Sequence, residues 1–200
     1  MPGAKGALDP TRLRNFLRPA RSRYWSGGVL AQVGLALNWE LAEASIAKWL
    51  PSRVGVTGRV LATDLDSRHL VEISRLANVE VRRHDIAAET LPGIEFGLVH
   101  ARLVLEHLCG RDEVLCKVAR VLKPVGWLLV ESVDFCDPVS EPGAREHMRS
   151  QAARLSAFKA SGVDVNYGRR LPRALREAGL MDDAVTASDV VSHSRHFALQ

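Results

Sequence analysis

Two carboxylates stand just after two short segments that are predicted to be neighbouring strands. Asp64 follows RVLAT, and Asp85 follows VEVRR one strand–helix unit later. A carboxylate at the end of one strand can accept both hydroxyl protons of a ribose in charge-assisted hydrogen bonds. A second carboxylate on the next strand can accept from the exocyclic amine of a base, while the backbone N–H of Ile86 donates to a ring nitrogen. Either aspartate alone is a common turn residue, but the pair predicts an adenosine site across two neighbouring strands.

The segments around these residues alternate between strand and helix patterns. Such alternation is typical of a parallel sheet that is covered on both faces and joined by right-handed crossovers. Ligands of these sheets bind at the carboxyl ends of the strands, near the point where the strand order reverses. The pattern predicts strands at 59–63, 79–83, 96–101 and 126–134, a further strand in DAVTASDVV, and helices at 66–77, 110–123, 141–160 and 168–179. Ser67 is the expected cap of the helix at 66–77, and Pro124 the expected stop of the helix at 110–123.

The segment from Val29 to Leu50 is more ambiguous. Its apolar residues recur at roughly helical spacing, and Pro51 ends the pattern. The stretch VGLALNW could also form a strand, but the helical spacing of apolar residues continues through it. The segment is therefore predicted as a helix, with the strand as the open alternative.

Length and composition indicate one ordinary globular domain. The chain has 200 residues, 46% of them hydrophobic, and no apolar run long enough for a membrane span or a secretory signal. The cytoplasm is therefore the expected location. The three cysteines form no C-x-x-C pair and the histidines lack ligand spacing, so we expect no metal and interpret Cys109 and Cys116 as buried thiols. The sequence indicates no oligomeric state.

The positive charge is concentrated near the start of the chain. The formal net charge is +4, and residues 1–28 contain a run of arginines followed by Tyr24 and Trp25. We divide the chain into a basic helical segment at 1–28 and a second domain at 29–200. A solvated helix face is the favoured interpretation of the basic segment. The alternative is an arm that binds nucleic acid or an anionic membrane. Because the solvated helix face is favoured, nucleic acid is not expected as a partner.

Four motifs occur in the order and at the separations of a known family. They are LATDLD, RRHDI, LVHARLVLEHL and LKPVGWLLVE, within residues 59–134. This stretch resembles the class I S-adenosylmethionine-dependent methyltransferases, particularly those that act on small molecules. The resemblance implies a Rossmann-like methyltransferase fold of the α/β class, with a mostly parallel sheet flanked by helices. It also implies S-adenosylmethionine as cofactor and a small-molecule methyl acceptor, so residues 29–200 would be a methyltransferase-like domain.

The resemblance further assigns residues to the cofactor site. Asp64, with Leu65 beside it, would hold the ribose, and Asp85 and the Ile86 backbone would hold the adenine. The remaining expected contacts are Glu40, Ala42, Ala101 and Arg102. No catalytic residue is assigned. If the acceptor is a hydroxyl, Glu106 and His107 are candidate bases, although His107 is equally well interpreted as a helix residue with a satisfied ring.

One motif of the family is degenerate. Its members carry a turn of the kind LEVGAGxGSIAxWL, where this chain reads WELAEASIAKWL. Ala42 stands at the first glycine, and the later glycines are predicted to be deleted together with part of the preceding strand. Those glycines aim backbone N–H groups at the cofactor carboxylate, and each lost charge-assisted bond costs about 1.5–3 kcal/mol. We therefore expect weakened cofactor binding. We also expect an incomplete fold, in which the first and last strands of the sheet can be missing.

Other functions compete with methyl transfer. A catalytically impaired or inactive relative is the main alternative, because it explains the missing turn directly. A nicotinamide-dependent dehydrogenase is excluded, since the chain lacks both G-x-G-x-x-G and Tyr-x-x-x-Lys. A nucleic-acid binder that uses the basic segment would show steep salt dependence.

Overall fold

A computed structural model of the chain describes residues 34–40, 45–55, 57–91, 93–132 and 145–180. The basic segment predicted at 1–28 and the closing strand predicted in DAVTASDVV lie outside these residues, as does Ala42. Within the described residues, no helix is both long and apolar enough to cross a membrane.

Within the described ranges, five parallel strands form one sheet in the order β3-β2-β1-β4-β5. Because β1 is central and the chain moves first to one side and then to the other, the strand order reverses between β1 and β4. Their carboxyl ends are therefore the expected ligand-binding edge. The strands are β1 (Leu35–Glu40), β2 (Arg59–Asp64), β3 (Val79–Arg83), β4 (Phe96–Arg102) and β5 (Leu122–Glu131).

In the described residues, four α-helices and several 3-10 turns connect or cover these strands. The helices are α1 (Ser45–Trp49), α2 (Arg111–Val121), α3 (Arg145–Ala160) and α4 (Tyr167–Glu177). The 3-10 turns are Leu50–Ser52, Ser67–Leu70, Ile73–Arg75 and Leu105–His107. The α/β class, the parallel sheet and the strands predicted at 59–63, 79–83 and 96–101 are confirmed.

The prediction of one helix from Val29 to Leu50 is wrong where the structure describes it. Leu35–Glu40 is a complete strand that pairs in parallel with β2 on one side and β4 on the other. Its apolar residues fit a helical period as well as an alternating one. The two neighbouring strands decide between them, because they satisfy the backbone N–H and C=O groups of a central strand. The expected loss of the first strand is therefore also wrong.

Two smaller predictions about helices fail. The segment predicted as one helix at 66–77 forms two 3-10 turns, and its cap is not Ser67 but Asp66, whose Oδ1 accepts from Arg68 N at 3.1 Å. α2 ends at Val121 rather than at Pro124, which lies inside β5. Proline is tolerated at this position because, in the described part of the chain, β5 pairs on one side only.

Gly126 lets the backbone of β5 pass close to that of β4. The register between β4 and β5 shifts between Phe96 and Leu98, which marks an irregularity in the ladder. A Cβ at Gly126 would lie 2.9 Å from the Phe96 backbone oxygen. Only glycine permits this close approach of the two backbones.

The sheet has two unequal faces. The α2 face packs Leu37, Trp39 and Val99 against α2 and α4 in the largest core cluster. The α1 face packs Ala36, Val60 and Leu98 against α1 and the turn that follows it.

The expected burial of the thiols is wrong for Cys109, which is exposed, and Cys116 is half-buried.

Candidate functional site

The first half of the site lies at the ends of β2 and β3, here called the outer tips. Asp64 is the last residue of β2, and its Oδ1 accepts from Asp66 N at 2.8 Å. Leu65, next to it, keeps 55% of its surface exposed. A large exposed apolar side chain beside a half-buried carboxylate suits a ligand that has a flat apolar part and hydroxyl groups.

Asp85 follows β3 and organises the loop after it. Its Oδ1 accepts from Ala87 N at 2.9 Å and from Ala88 N at 3.2 Å, so the side chain closes a turn as an Asx motif. Lys117, on α2, donates through Nζ to Ala87 O at 2.9 Å and fixes the same turn from the outside. Ile86 is buried in the main core cluster.

A backbone bond joins the two outer tips. His84 N donates to Asp64 O at 3.0 Å, one residue beyond the last registered pair of β2 and β3. Asp64 and Asp85 therefore stand on adjacent strand ends, as the sequence predicted. His84 is itself buried, with Nε2 3.1 Å from Thr90 O, which ties the loop back to the strand end.

The second half of the site lies at the ends of β1, β4 and β5, here called the inner tips. A buried polar ladder crosses these three strands on the α1 face. His100 Nδ1 lies 2.7 Å from Asn38 Oδ1, and His100 Nε2 lies 2.9 Å from Glu131 Oε1. Asn38 is 1% exposed and His100 0%. Buried polar groups are stable only when hydrogen-bonded, so the ladder fixes the three strand ends relative to one another.

Arg102 extends the ladder to the tip of β4. It is in register with Glu40 on β1 and with Glu131 on β5, and its Nε lies 4.0 Å from Glu131 Oε2. Leu103 follows with a positive φ of 53°, unusual for leucine, and donates its N–H to Glu131 O at 2.8 Å. This turn directs the chain sharply away from the sheet immediately after Arg102. Ala101 is buried on the opposite, α2 face.

Glu106 lies buried in the turn after β4. Its Oε2 accepts from Ser132 Oγ at 3.3 Å, and its backbone oxygen accepts from Asp164 N at 2.8 Å. Oε1 is buried and has no hydrogen-bond partner among the described residues. Burial raises the pKa of Glu106 to about 7, because the charged carboxylate loses its hydration.

The neighbouring His107 differs in exposure. Its side chain lies on the outside of the 3-10 turn and is exposed. Partial loss of hydration lowers its pKa, and the positive charge of Arg111 lowers it further. The two candidate bases are therefore adjacent in sequence but lie in different environments, one buried and one at the surface.

The connection between β1 and α1 spans residues 41–44, and its sequence LAEA contains no glycine. Its structure lies outside the described residues. β1, however, is complete up to Glu40 and pairs with both neighbours. The expected deletion of part of this strand is therefore wrong.

Three of the residues that build the inner tips were not predicted from the sequence as site residues. Asn38, His100 and Glu131 are polar residues inside otherwise apolar strands, and that pattern is the signal that could have revealed them. Leu103 gives no signal at all, because nothing in its local sequence demands a positive φ.

Comparison with solved structures shows which proteins share this fold. An O-methyltransferase family protein from Burkholderia thailandensis superposes with a TM-score of 0.59 at 16% identity, over 83% of this chain and 51% of that one. A SAM-dependent methyltransferase from Aquifex aeolicus superposes with a TM-score of 0.55 at 19% identity, over 86% and 88% of the two chains. The chain has the Rossmann-like fold of class I S-adenosylmethionine-dependent methyltransferases.

Sequence comparison finds similarity to methyltransferases over part of the chain. Residues 42–130 match the methyltransferase domain family, a segment that begins just after β1. Methyltransferase str2 of Strobilurus tenacellus is 30% identical over 121 residues, 56% of this chain and 41% of that protein. The C-methyltransferase UbiE of ubiquinone and menaquinone biosynthesis from Hydrogenovibrio crunogenus is 32% identical over 93 residues, 42% of this chain and 36% of that protein. The matches thus span well under half the length of these curated relatives.

Proposed function

We propose that this protein binds S-adenosylmethionine across the carboxyl ends of β1 to β4 and transfers its methyl group to a small-molecule acceptor. The observation that carries the proposal is the pair Asp64 and Asp85 on adjacent strand ends, joined by the bond from His84 N to Asp64 O. The match of residues 42–130 to the methyltransferase domain supports the same activity. The cytoplasmic location predicted from the sequence stays a prediction.

The outer tips fit the adenosine part of this cofactor. Asp64 would accept from the ribose hydroxyls, and the exposed face of Leu65 would pack on the ring. Asp85 uses Oδ1 to close its own turn, so Oδ2 would be the oxygen that faces the exocyclic amine. The Ile86 backbone N–H, fixed by the same turn, would donate to the ring.

The chemistry requires little more than alignment. The bound cofactor supplies a methyl group that is already activated, so the protein has to hold the acceptor in line with it and exclude water. A hydroxyl acceptor also needs a base, and Glu106 is the better candidate of the two. A carboxyl with a pKa near 7 can accept a proton at neutral pH without being permanently ionised.

The small-molecule class of the acceptor rests on the resemblance to small-molecule methyltransferases and on relatives such as the ubiquinone and menaquinone C-methyltransferase. The competing hypothesis, a relative that has lost its cofactor together with the glycine-rich turn, makes the opposite prediction for binding. One titration separates the two.

Calorimetric titration of the purified chain with S-adenosylhomocysteine tests the proposal. We expect measurable binding, and Asp64→Asn should weaken it at least about 10-fold through loss of a charge-assisted bond to the ribose. Asp66→Asn is the matched control, because Asp66 is a neighbouring carboxylate that bonds to Arg68 instead. Absence of heat at millimolar ligand would contradict the proposal. An equal loss in both variants would remove Asp64 from the site.

A further inference from the structure

The loop after β3 is held by a lysine from a different element of the fold. Lys117, on α2, donates through Nζ to Ala87 O at 2.9 Å and to Ile86 O and Glu89 O at 3.3 Å each. An ammonium group has three N–H donors and no acceptor. The three backbone oxygens of this one loop therefore match the full donor set of the side chain.

Lys117 and Asp85 hold the same two peptide groups from opposite ends. Asp85 Oδ1 accepts from Ala87 N at 2.9 Å and from Ala88 N at 3.2 Å. The Ala87 N–H shares a planar peptide group with Ile86 O, and the Ala88 N–H shares one with Ala87 O. In a trans peptide the N–H and C=O point in opposite directions. Each group is therefore bonded to the carboxylate on one side and to the ammonium on the other.

Both ends of this arrangement rest on fixed parts of the fold. Lys117 adjoins Val118 of α2, which is buried in the same core cluster as Ile86. At the other end of the loop, Glu89 N donates to Asp85 O at 2.7 Å. A change in the orientation of the peptide groups would break several of these bonds at once. The direction of the Asp85 carboxylate is therefore coupled to the position of the lysine.

We propose that Lys117 is a positioning residue for recognition of the adenine base. This inference rests on the proposed function, in which Asp85 Oδ2 and the Ile86 N–H contact the base. Lys117 acts through these groups, because it holds the peptides that bind Asp85 Oδ1 and restrains Ile86 from its carbonyl side. Groups that are held in their bound orientation lose less entropy when a ligand binds. Loss of the ammonium should therefore reduce the selectivity for adenine.

Two ligands that differ only in the base isolate this role. S-adenosylhomocysteine presents an exocyclic amine and an unprotonated ring nitrogen. S-inosylhomocysteine presents an oxygen and a ring N–H at the same positions, so the Asp85 carboxylate and the Ile86 N–H would face groups of the wrong kind. We expect wild type to bind S-adenosylhomocysteine about 100-fold more tightly by calorimetry.

Substitutions on α2 test the lysine itself. Lys117→Met removes the ammonium but keeps an unbranched side chain, and we expect the ratio of the two affinities to fall about 10-fold. Lys117→Arg keeps cationic N–H donors and should restore part of the ratio. Arg120→Met is the matched control, because it removes a positive charge from the exposed side of the same helix. It should leave the ratio unchanged.

The possible outcomes have distinct meanings. Loss of folded protein lowers the binding of both ligands alike, so it does not imitate a fall in the ratio. A Lys117→Met protein with the wild-type ratio contradicts the role of Lys117 and leaves the proposed function standing. A wild-type chain that binds both ligands equally contradicts adenine recognition by Asp85, and the role of Lys117 with it. A wild-type chain that binds neither ligand contradicts the proposed function as well.

Discussion

The outer and inner tips lie at the same edge of the sheet, but their polar side chains differ in hydrogen bonding and in exposure to solvent. At the outer tips, the aspartates bond mainly to backbone N–H groups, and Leu65 stays exposed. At the inner tips, an amide, an imidazole, a guanidinium and a carboxylate lie buried against one another. The outer tips are open to a ligand, whereas the side chains of the inner tips are almost completely shielded from solvent.

This difference indicates which half of the site controls ligand affinity and which half controls the stability of the fold. The outer carboxylates are held by local turns, so a ligand can reach them without disturbing the core. The inner groups contact one another over long sequence distances, and removal of one takes a hydrogen-bond partner from its buried neighbours. Substitutions at the outer tips should therefore change binding, whereas substitutions at the inner tips should change stability first.

The largest effect is expected at His100. Replacement by leucine leaves the Asn38 amide and the Glu131 carboxylate buried without their shared partner. We expect the free energy of unfolding to fall by about 3 kcal/mol or more, measured by urea denaturation. His100→Gln can restore part of the hydrogen bonding and should recover part of the loss. A loss below about 1 kcal/mol for His100→Leu would show that the ladder contributes little.

The next effect concerns pH and Glu106. Burial raises the pKa of Glu106 from 4.5 to about 7, so the folded state binds more protons than the unfolded state between these values. Stability from this group is complete below about pH 4.5 and is lost as the pH rises through about 7. Between pH 5 and pH 8 we expect wild type to lose about 2 kcal/mol more than Glu106→Gln, which cannot ionise.

Urea denaturation of both proteins at several pH values measures this difference. The groups that face Glu106 are Ser132, whose hydroxyl donates to it, and Arg111, whose charge lowers its pKa. Identical pH profiles for the two proteins would mean that Glu106 is ionised in the folded state throughout this range.

The smallest effect is expected at the outer tips, at Asp66. Its carboxylate caps the 3-10 turn after β2, and its hydrogen bonds with Arg68 hold its pKa well below the usual range. The Arg68 side chain is exposed to solvent and that of Asp66 is partly exposed, which weakens such a pair. Asp66→Asn should shift the urea midpoint only slightly, far less than His100→Leu. A comparable shift would overturn the distinction between the two halves of the site.

Much of the outer half could be read from the sequence because its signals are local. Asp64 ends the short strand β2, and Asp85 lies two residues after the short strand β3, so each carboxylate is close in sequence to its strand. The inner half could not be read in this way. Asn38, His100 and Glu131 come from three separate strands, and each alone resembles an isolated polar residue in an apolar segment.

β1 shows the same limit at the level of secondary structure. Leu35–Glu40 fits a helical and an alternating pattern equally, so local spacing leaves its conformation open. The four motifs from β2 to β5, by contrast, indicated a resemblance to class I S-adenosylmethionine-dependent methyltransferases from order and separation alone.

By itself, the sequence determined the α/β class, the strands β2, β3 and β4, most of β5, and the position of the two outer carboxylates after their strands, since each depends on neighbours along the chain. Only the tertiary structure decided that β1 is the central strand, that α2 gives way to β5 before Pro124, and that three distant polar side chains share one buried ladder. The physical reason is that hydrogen bonding and burial in a parallel sheet are satisfied between strands, and therefore between residues far apart in sequence.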